Sequence, residues 1–196
     1  MAGDANGTGA PDTRPYIIQT YDRWIILVIV LVAGWLLFRP AFAAVCAYRG
    51  VTFEASLVPT TAEHYYRKAT IIDPYVADGW LRLGELYYFW DEGSRARDVL
   101  AAQTFAQGVQ DVPTNANLPF DLGRTYLLRL HEFPEAKAAL QEAVRRDPTM
   151  EFAWDYLGYA ALKSGDRTLA VQAWREVLKL DPNHTSARDA IAKYGG

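Results

Sequence analysis

Residues 169–182 read LAVQAWREVLKLDP. In this stretch Ala170 is followed four positions later by Trp174, three after that by Val177 and five further on by Pro182. The same layout occurs three more times, in AEHYYRKATIIDP (62–74), AAQTFAQGVQDVP (101–113) and EAKAALQEAVRRDP (135–148). The matching sets are Ala62/Tyr66/Ala69/Pro74, Ala101/Phe105/Gly108/Pro113 and Ala136/Leu140/Ala143/Pro148. Spacings of four and three stack side chains on one face of a helix, and each proline stops that helix and presets the turn that follows. The closing prolines are 39, 35 and 34 residues apart, so the chain is built from repeats.

A second pattern precedes three of these segments: Trp80-x-x-Leu83-Gly84-x-x-Tyr87, Leu122-Gly123-x-x-Tyr126 and Trp154-x-x-Leu157-Gly158-x-x-Ala161. Together the two halves resemble the tetratricopeptide repeat, a 34-residue helix–turn–helix unit, over residues 60–194. Gly84, Gly123 and Gly158 would let two helices approach closely, with Trp80, Trp154, Phe105 and Trp174 filling the space between them. One pair cannot bury its apolar face alone, so pairs stack into a solenoid. The first full repeat carries five extra residues around Asp91–Arg97, and the second carries one extra and lacks the leading Trp. The first unit, about 60–72, reads as a trailing helix without a leading one, and 184–194 as a capping helix. The expected fold is all-α: one N-terminal membrane-spanning helix, then about three and a half repeats and a C-terminal cap. That makes eight helices after the first.

Upstream, WIILVIVLVAGWLLF (24–38) is continuously apolar and uncharged. At ~1.5 Å per residue it covers about 22 Å, short of a ~30 Å hydrocarbon core. Extending it to Val45 gives enough length and places Arg39 and Pro40 near the exit. There the guanidinium can snorkel to the headgroups and the proline can kink the helix. Tyr16, Tyr21 and Trp24 at one end, and Trp35, Phe38, Phe42 and Tyr48 toward the other, suit two interfacial aromatic belts. The expected layout is a polar tail at 1–15, an anchor at 16–48, a linker at 49–59 and the solenoid at 60–196. A cleaved signal peptide competes, with Ala41-Phe42-Ala43 as the cleavage site. Arg14 and Arg23 precede the run, which weakly favours a cytoplasmic N-terminus and extracytoplasmic, for example periplasmic, repeats; the opposite orientation stays open.

The net charge of −3 offers no basic field for nucleic acid, and Cys46, the sole cysteine, can form no internal disulfide. His64, His131 and His184 are widely spaced and lack metal-ligand spacing, and no nucleophile, phosphate-loop or zinc motif occurs. Asp73, Asp147 and Asp181 precede repeat prolines and read as turn residues. The sequence therefore implies no catalysis, no cofactor and no small-molecule substrate. What remains is surface. By the resemblance, the leading helices line a concave groove with Asp78, Leu81, Glu85, Tyr88 and Phe89; then Asn117, Phe120, Arg124, Leu127 and Leu128; then Phe152, Asp155, Tyr159, Leu162 and Lys163. This set is aromatic and mildly acidic, unlike the basic clamp with which some family members hold an acidic tail, and it suits an apolar partner segment. In Tyr87-Tyr88-Phe89-Trp90 the repeat requires only Tyr87. The other three either lie under the five-residue insertion or meet a partner or the membrane interface. The expected role is a scaffold subunit of a membrane complex, photosynthetic, respiratory or of the cell envelope, or alternatively a transient assembly factor.

Overall fold

The computed structural model describes residues 16–90 and 93–195. The polar tail 1–15 and the side chains of Tyr16 and Tyr21 lie outside the described residues. Among the described residues there is no strand. The helices are α1 (Tyr16–Ala55), α2 (Pro59–Ile72), α3 (Ala77–Phe89), α4 (Arg95–Asp111), α5 (Asn117–Thr125), α6 (Phe133–Arg146), α7 (Glu151–Lys163), α8 (Arg167–Leu180) and α9 (Thr185–Tyr194). Among the described residues eight therefore follow the first, as expected. Contacts divide the chain into two compact units, Met1–Arg39 and Pro40–Gly196. In the first unit, every described side chain from Arg23 onward is exposed except Gly34 and Arg39, which are half-buried.

The second unit is a tetratricopeptide-type solenoid. Its pairs are α3/α4, α5/α6 and α7/α8, with α9 closing the end. One steric device recurs in each pair. A Cβ added at Gly84 would lie under 3.0 Å from three ring atoms of Phe105, and one at Gly158 equally close to Trp174. At Gly123 it would meet Leu140 at 2.5 Å. The large residue of each trailing helix thus rests on the backbone of its leading helix, which only glycine permits. Phe105, Leu140 and Trp174 are fully buried, each worth about 1.5–3 kcal/mol of transfer free energy.

The same device corrects one expectation. Residues 49–55, expected in a linker, are helical, and a Cβ at Gly50 would lie under 3.0 Å from three atoms of the buried Tyr66 ring. Tyr66 Oη donates a 2.6 Å hydrogen bond to Glu54, and Phe53 stacks on Tyr65 at 5.4 Å between ring centroids. Cys46 and Ala47 bury against Ala69. The first unit of the repeat array is therefore not missing its leading helix, because the end of α1 fills that place. Three residues, Ser56 to Val58, join it to α2, with Leu57 at φ 59° making the turn.

Turns follow the aspartate–proline steps. The backbone N–H groups of Tyr75, Thr149 and Asn183 donate to Asp73, Asp147 and Asp181, as turn residues require. Trp80 and Trp154 tie the next leading helix to the turn, each Nε1–H donating at 2.8 Å to the carbonyl of Pro74 or Pro148. Arg146 crosses between repeats and donates to the carbonyls of Val109, Val112 and Asn115, closing the C-terminus of α4. The extra residue of the second repeat is absorbed in a π-helical turn, Tyr126–Leu130, which ends on His131 in the left-handed region at φ 59°. The wider turn takes up one residue without shifting α6 off Gly123.

Candidate partner-binding face

The leading helices α3, α5 and α7 lie side by side and present one face. The residues expected there fall into two groups. Between α3 and α5, Arg124 stacks 4.6 Å above the Tyr88 ring and reaches Phe89 and Phe120 at 5.9 and 6.0 Å. It also pairs with Asp121 at 3.0 Å. Glu85 lies close enough to act electrostatically on Asp121 and pairs with Arg82 at 3.7 Å. Leu81 is half-buried against the neighbouring core. Between the π-turn and α7, Asp155 and Tyr159 border a second locus, while Phe152 stands apart and exposed.

This second locus is a cleft of about 500 Å³ lined by Leu127, Leu128, His131, Phe133, Asp155, Tyr156, Tyr159 and Lys163. Its floor is rigid: Tyr156 packs edge-on to Phe120 at 5.6 Å, and Tyr159 edge-on to Trp174 at 5.5 Å. Sequence reasoning missed Tyr156, His131 and Phe133. The extra residue after Tyr126 was visible, but not the π-turn that brings His131 and Phe133 to the cleft.

Two acids on this face are partly stripped of water. Burial pushes the Asp121 carboxyl up to about 6, opposed by Arg124 and assisted by Glu85. Burial also raises Asp155, opposed by His184. The indole N–H of Trp174 lies near Asp155 but outside hydrogen-bonding geometry, leaving Asp155 Oδ1 and Trp174 Nε1 each without a hydrogen bond. The cations nearby are largely committed: Arg82 to Asp78 and Glu85, and Arg124 to Asp121. The face is apolar and acidic.

The aromatic run divides between the two expectations, cover and exposure. Tyr87 is buried; its hydroxyl donates to Glu63 at 2.7 Å and accepts from Arg67. Burial, with Glu63, raises it to about 12. Tyr88 is 7% exposed and held between Arg124 and Arg129, the latter 4.5 Å from its ring. Trp90 is half-buried under the Arg97 guanidinium at 4.0 Å. Only Phe89, 59% exposed, is available to a partner. Arg97 lies at the end of the five-residue insertion, whose Asp91 and Glu92 fall outside the described residues.

The histidines sit where a helix end or surface would put them. His184 caps α9, its Nδ1 accepting from the Ala187 N–H, His131 ends the π-turn, and His64 is exposed on α2. Among the described residues, no three His, Cys, Asp or Glu side chains gather in a way that could hold a metal ion.

Comparison with known proteins agrees with this architecture. Residues 151–184 match the tetratricopeptide repeat family. The chain is 34% identical over 82 residues to tetratricopeptide repeat protein 33 of Mus musculus, covering 42% of this chain and 31% of that one. Its Xenopus laevis counterpart is 30% identical over 94 residues, 48% and 35% of the two chains. The chain thus spans about a third of the length of these relatives. Among solved structures, MamA superposes with a TM-score of 0.66 at 22% identity over 78% of this chain and 80% of its own, a likeness of fold. The second tetratricopeptide domain of human RPAP3, solved with the HSP70 peptide SGPTIEEVD, gives 0.52 at 25% identity over 60% and 92%. The fold is that of a protein-interaction scaffold.

Proposed function

We propose that this protein is a membrane-anchored scaffold subunit whose leading-helix face grips an apolar or aromatic segment of another subunit. The observation that carries the reading is the apolar cleft between the π-turn and α7, set beside acids that are partly desolvated. A partner's apolar side chain gains from entering such a cleft, and a donor or cation beside it relieves Asp155. An acidic tail such as the EEVD terminus of the HSP70 peptide would meet Glu85, Asp121 and Asp155 and be repelled.

The anchor is the apolar part of α1. This is the one described helix long and apolar enough to cross a membrane, by length and composition. Trp24, Trp35 and Phe38 are exposed along it, a surface that water tolerates poorly and lipid accepts. Arg39 and Pro40 mark its exit, and the repeats lie on the extracytoplasmic side.

The test places a photo-crosslinking residue at Leu128, with Gln172 on the outward face of α8 as control, in membranes extracted with mild detergent. Leu128 should capture one membrane-complex protein in near-equal copy number, and Leu128→Asp should abolish the capture. Equal yields at both positions would refute the cleft as the binding site. A partner recovered far below equal copy number would refute a permanent subunit.

A further inference from the structure

Gly50, Gly84, Gly123 and Gly158, each met by a ring or a leucine, put the four leading helices in one register. Three positions before each glycine stand Ala47, Leu81, Phe120 and Asp155. The first three are apolar and packed: Ala47 beside Ala69, Leu81 on the core around it, Phe120 edge-on to Tyr156. Packing at this position takes an apolar side chain in three repeats and meets a carboxylate in the fourth.

The contacts within the chain leave that carboxylate poorly served. Burial raises the Asp155 pKa, and the Trp174 indole misses hydrogen-bonding geometry with it. His184 opposes the shift from α9, but its Nε2 lies against Glu151 at 3.5 Å and its Nδ1 accepts from the Ala187 N–H. Asp155 instead lines the cleft beside the π-turn. Asp155, Tyr159 and Lys163 follow one another at about one turn along the cleft wall, so the carboxylate and the exposed ammonium stand about 12 Å apart along α7. Between these ends the cleft is apolar and aromatic, with Leu127, Leu128 and Tyr156.

We propose that the cleft recognises a dipolar segment of the partner. An apolar side chain enters between Leu128 and Tyr159, a lysine or arginine lies on the side of Asp155, and an acidic residue lies on the side of Lys163. This deepens the reading of the cleft as the binding site and rests on it. Charge complementarity selects the occupant. A basic head supplies Asp155 with a counter-charge, while the rings of Tyr156 and Tyr159 accept its methylene stem and its cation. A segment with two acids sets one against Asp155, and a segment with two cations sets one against Lys163. An uncharged apolar segment fills the cleft and leaves Asp155 as it was.

Synthetic peptides test this on the full chain in uncharged detergent micelles. Each carries Leu at the centre of a Gly-Ser frame, and the residues two before and two after it are Arg and Glu, Ser and Ser, Glu and Glu, or Arg and Arg. Methyl signals of Leu127 and Leu128 report binding down to millimolar affinity. The Arg/Glu peptide should bind about tenfold more tightly than Ser/Ser, and both like-charged peptides more weakly than Arg/Glu. In Asp155→Leu, which restores the apolar residue of the other repeats, Arg/Glu and Ser/Ser should bind alike; Asp155→Asn, which keeps the shape, should do the same. Equal affinities in the wild type, with Leu127 and Leu128 shifting, would overturn the dipolar rule and leave the cleft standing. No shift with any peptide would overturn the cleft and the rule together. Faster hydrogen exchange of α9 in both variants would assign Asp155 to the cap and overturn its role as a counter-charge.

Discussion

Replacing Gly50 with alanine is the sharpest test of the leading-helix role of α1. The added methyl would fall under 3.0 Å from three atoms of the Tyr66 ring. That ring is fully buried and its hydroxyl is tied to Glu54, so it has nowhere to move. Overpacking of this kind costs about 1–3 kcal/mol, and three simultaneous overlaps argue for the upper end. Alanine returns about 1 kcal/mol through helix propensity, leaving a net loss of about 2 kcal/mol. Gly34→Ala is the control, because nothing lies within 4 Å of its added methyl. It should gain the same ~1 kcal/mol or change nothing. Hydrogen exchange of the α2 amides, measured on the full chain in detergent micelles, reads local opening directly. Gly50→Ala should speed exchange of α2 by roughly 30-fold, and Gly34→Ala should not speed it. Equal protection of α2 in the two variants would refute the packing of α1 on Tyr66.

Other expectations concern the rest of the solenoid. Asp121 has its pKa raised from 3.8 to about 6, so its contribution favours the fold fully below about pH 4 and is lost as pH rises through about 6. Asp121→Asn should therefore lose stability by about 2 kcal/mol less than the wild type between pH 4 and 7, measured by urea unfolding at each pH; parallel profiles would contradict this. Arg146→Met removes the donors for three carbonyls at the end of α4 and should cost about 3 kcal/mol, with exchange rising first at residues 109–115. Trp154→Phe keeps the ring contact and loses the bond to Pro148, so a loss of about 1 kcal/mol is expected, against about 3–5 for Trp174→Ala in the core.

The parts of this fold that were legible from sequence are those where sterics leave no choice. Gly84 with Phe105 and Gly158 with Trp174 sit at fixed spacings because a large ring needs an adjacent bare backbone. The end of α1 obeys the same rule: Gly50 to Ala62 to Tyr66 repeats the separations of Gly158 to Ala170 to Trp174. It escaped notice because Cys46 stands where Trp154 does and Arg49 where Leu157 does, and because the apolar run drew the segment into the anchor. The aromatic run was undecided for another reason. What covers Tyr88 and Trp90 comes from Arg97, Arg124 and Arg129, residues 7 to 41 positions away whose stacking no local pattern announces. The cleft was half legible: its leading-helix residues follow the repeat frame, whereas His131 and Phe133 depend on a backbone detour.

The glycine–ring contacts also bear on how the chain acquires its structure. They join Gly50 to Tyr66, Gly84 to Phe105, Gly123 to Leu140 and Gly158 to Trp174, closing loops of 16, 21, 17 and 16 residues. Loops this short close quickly, and none waits for a distant segment. A hairpin can therefore lock as soon as its second helix leaves the ribosome or the translocation channel. The order of synthesis then becomes the order of assembly, beginning with the pair nearest the apolar run and ending with the cap.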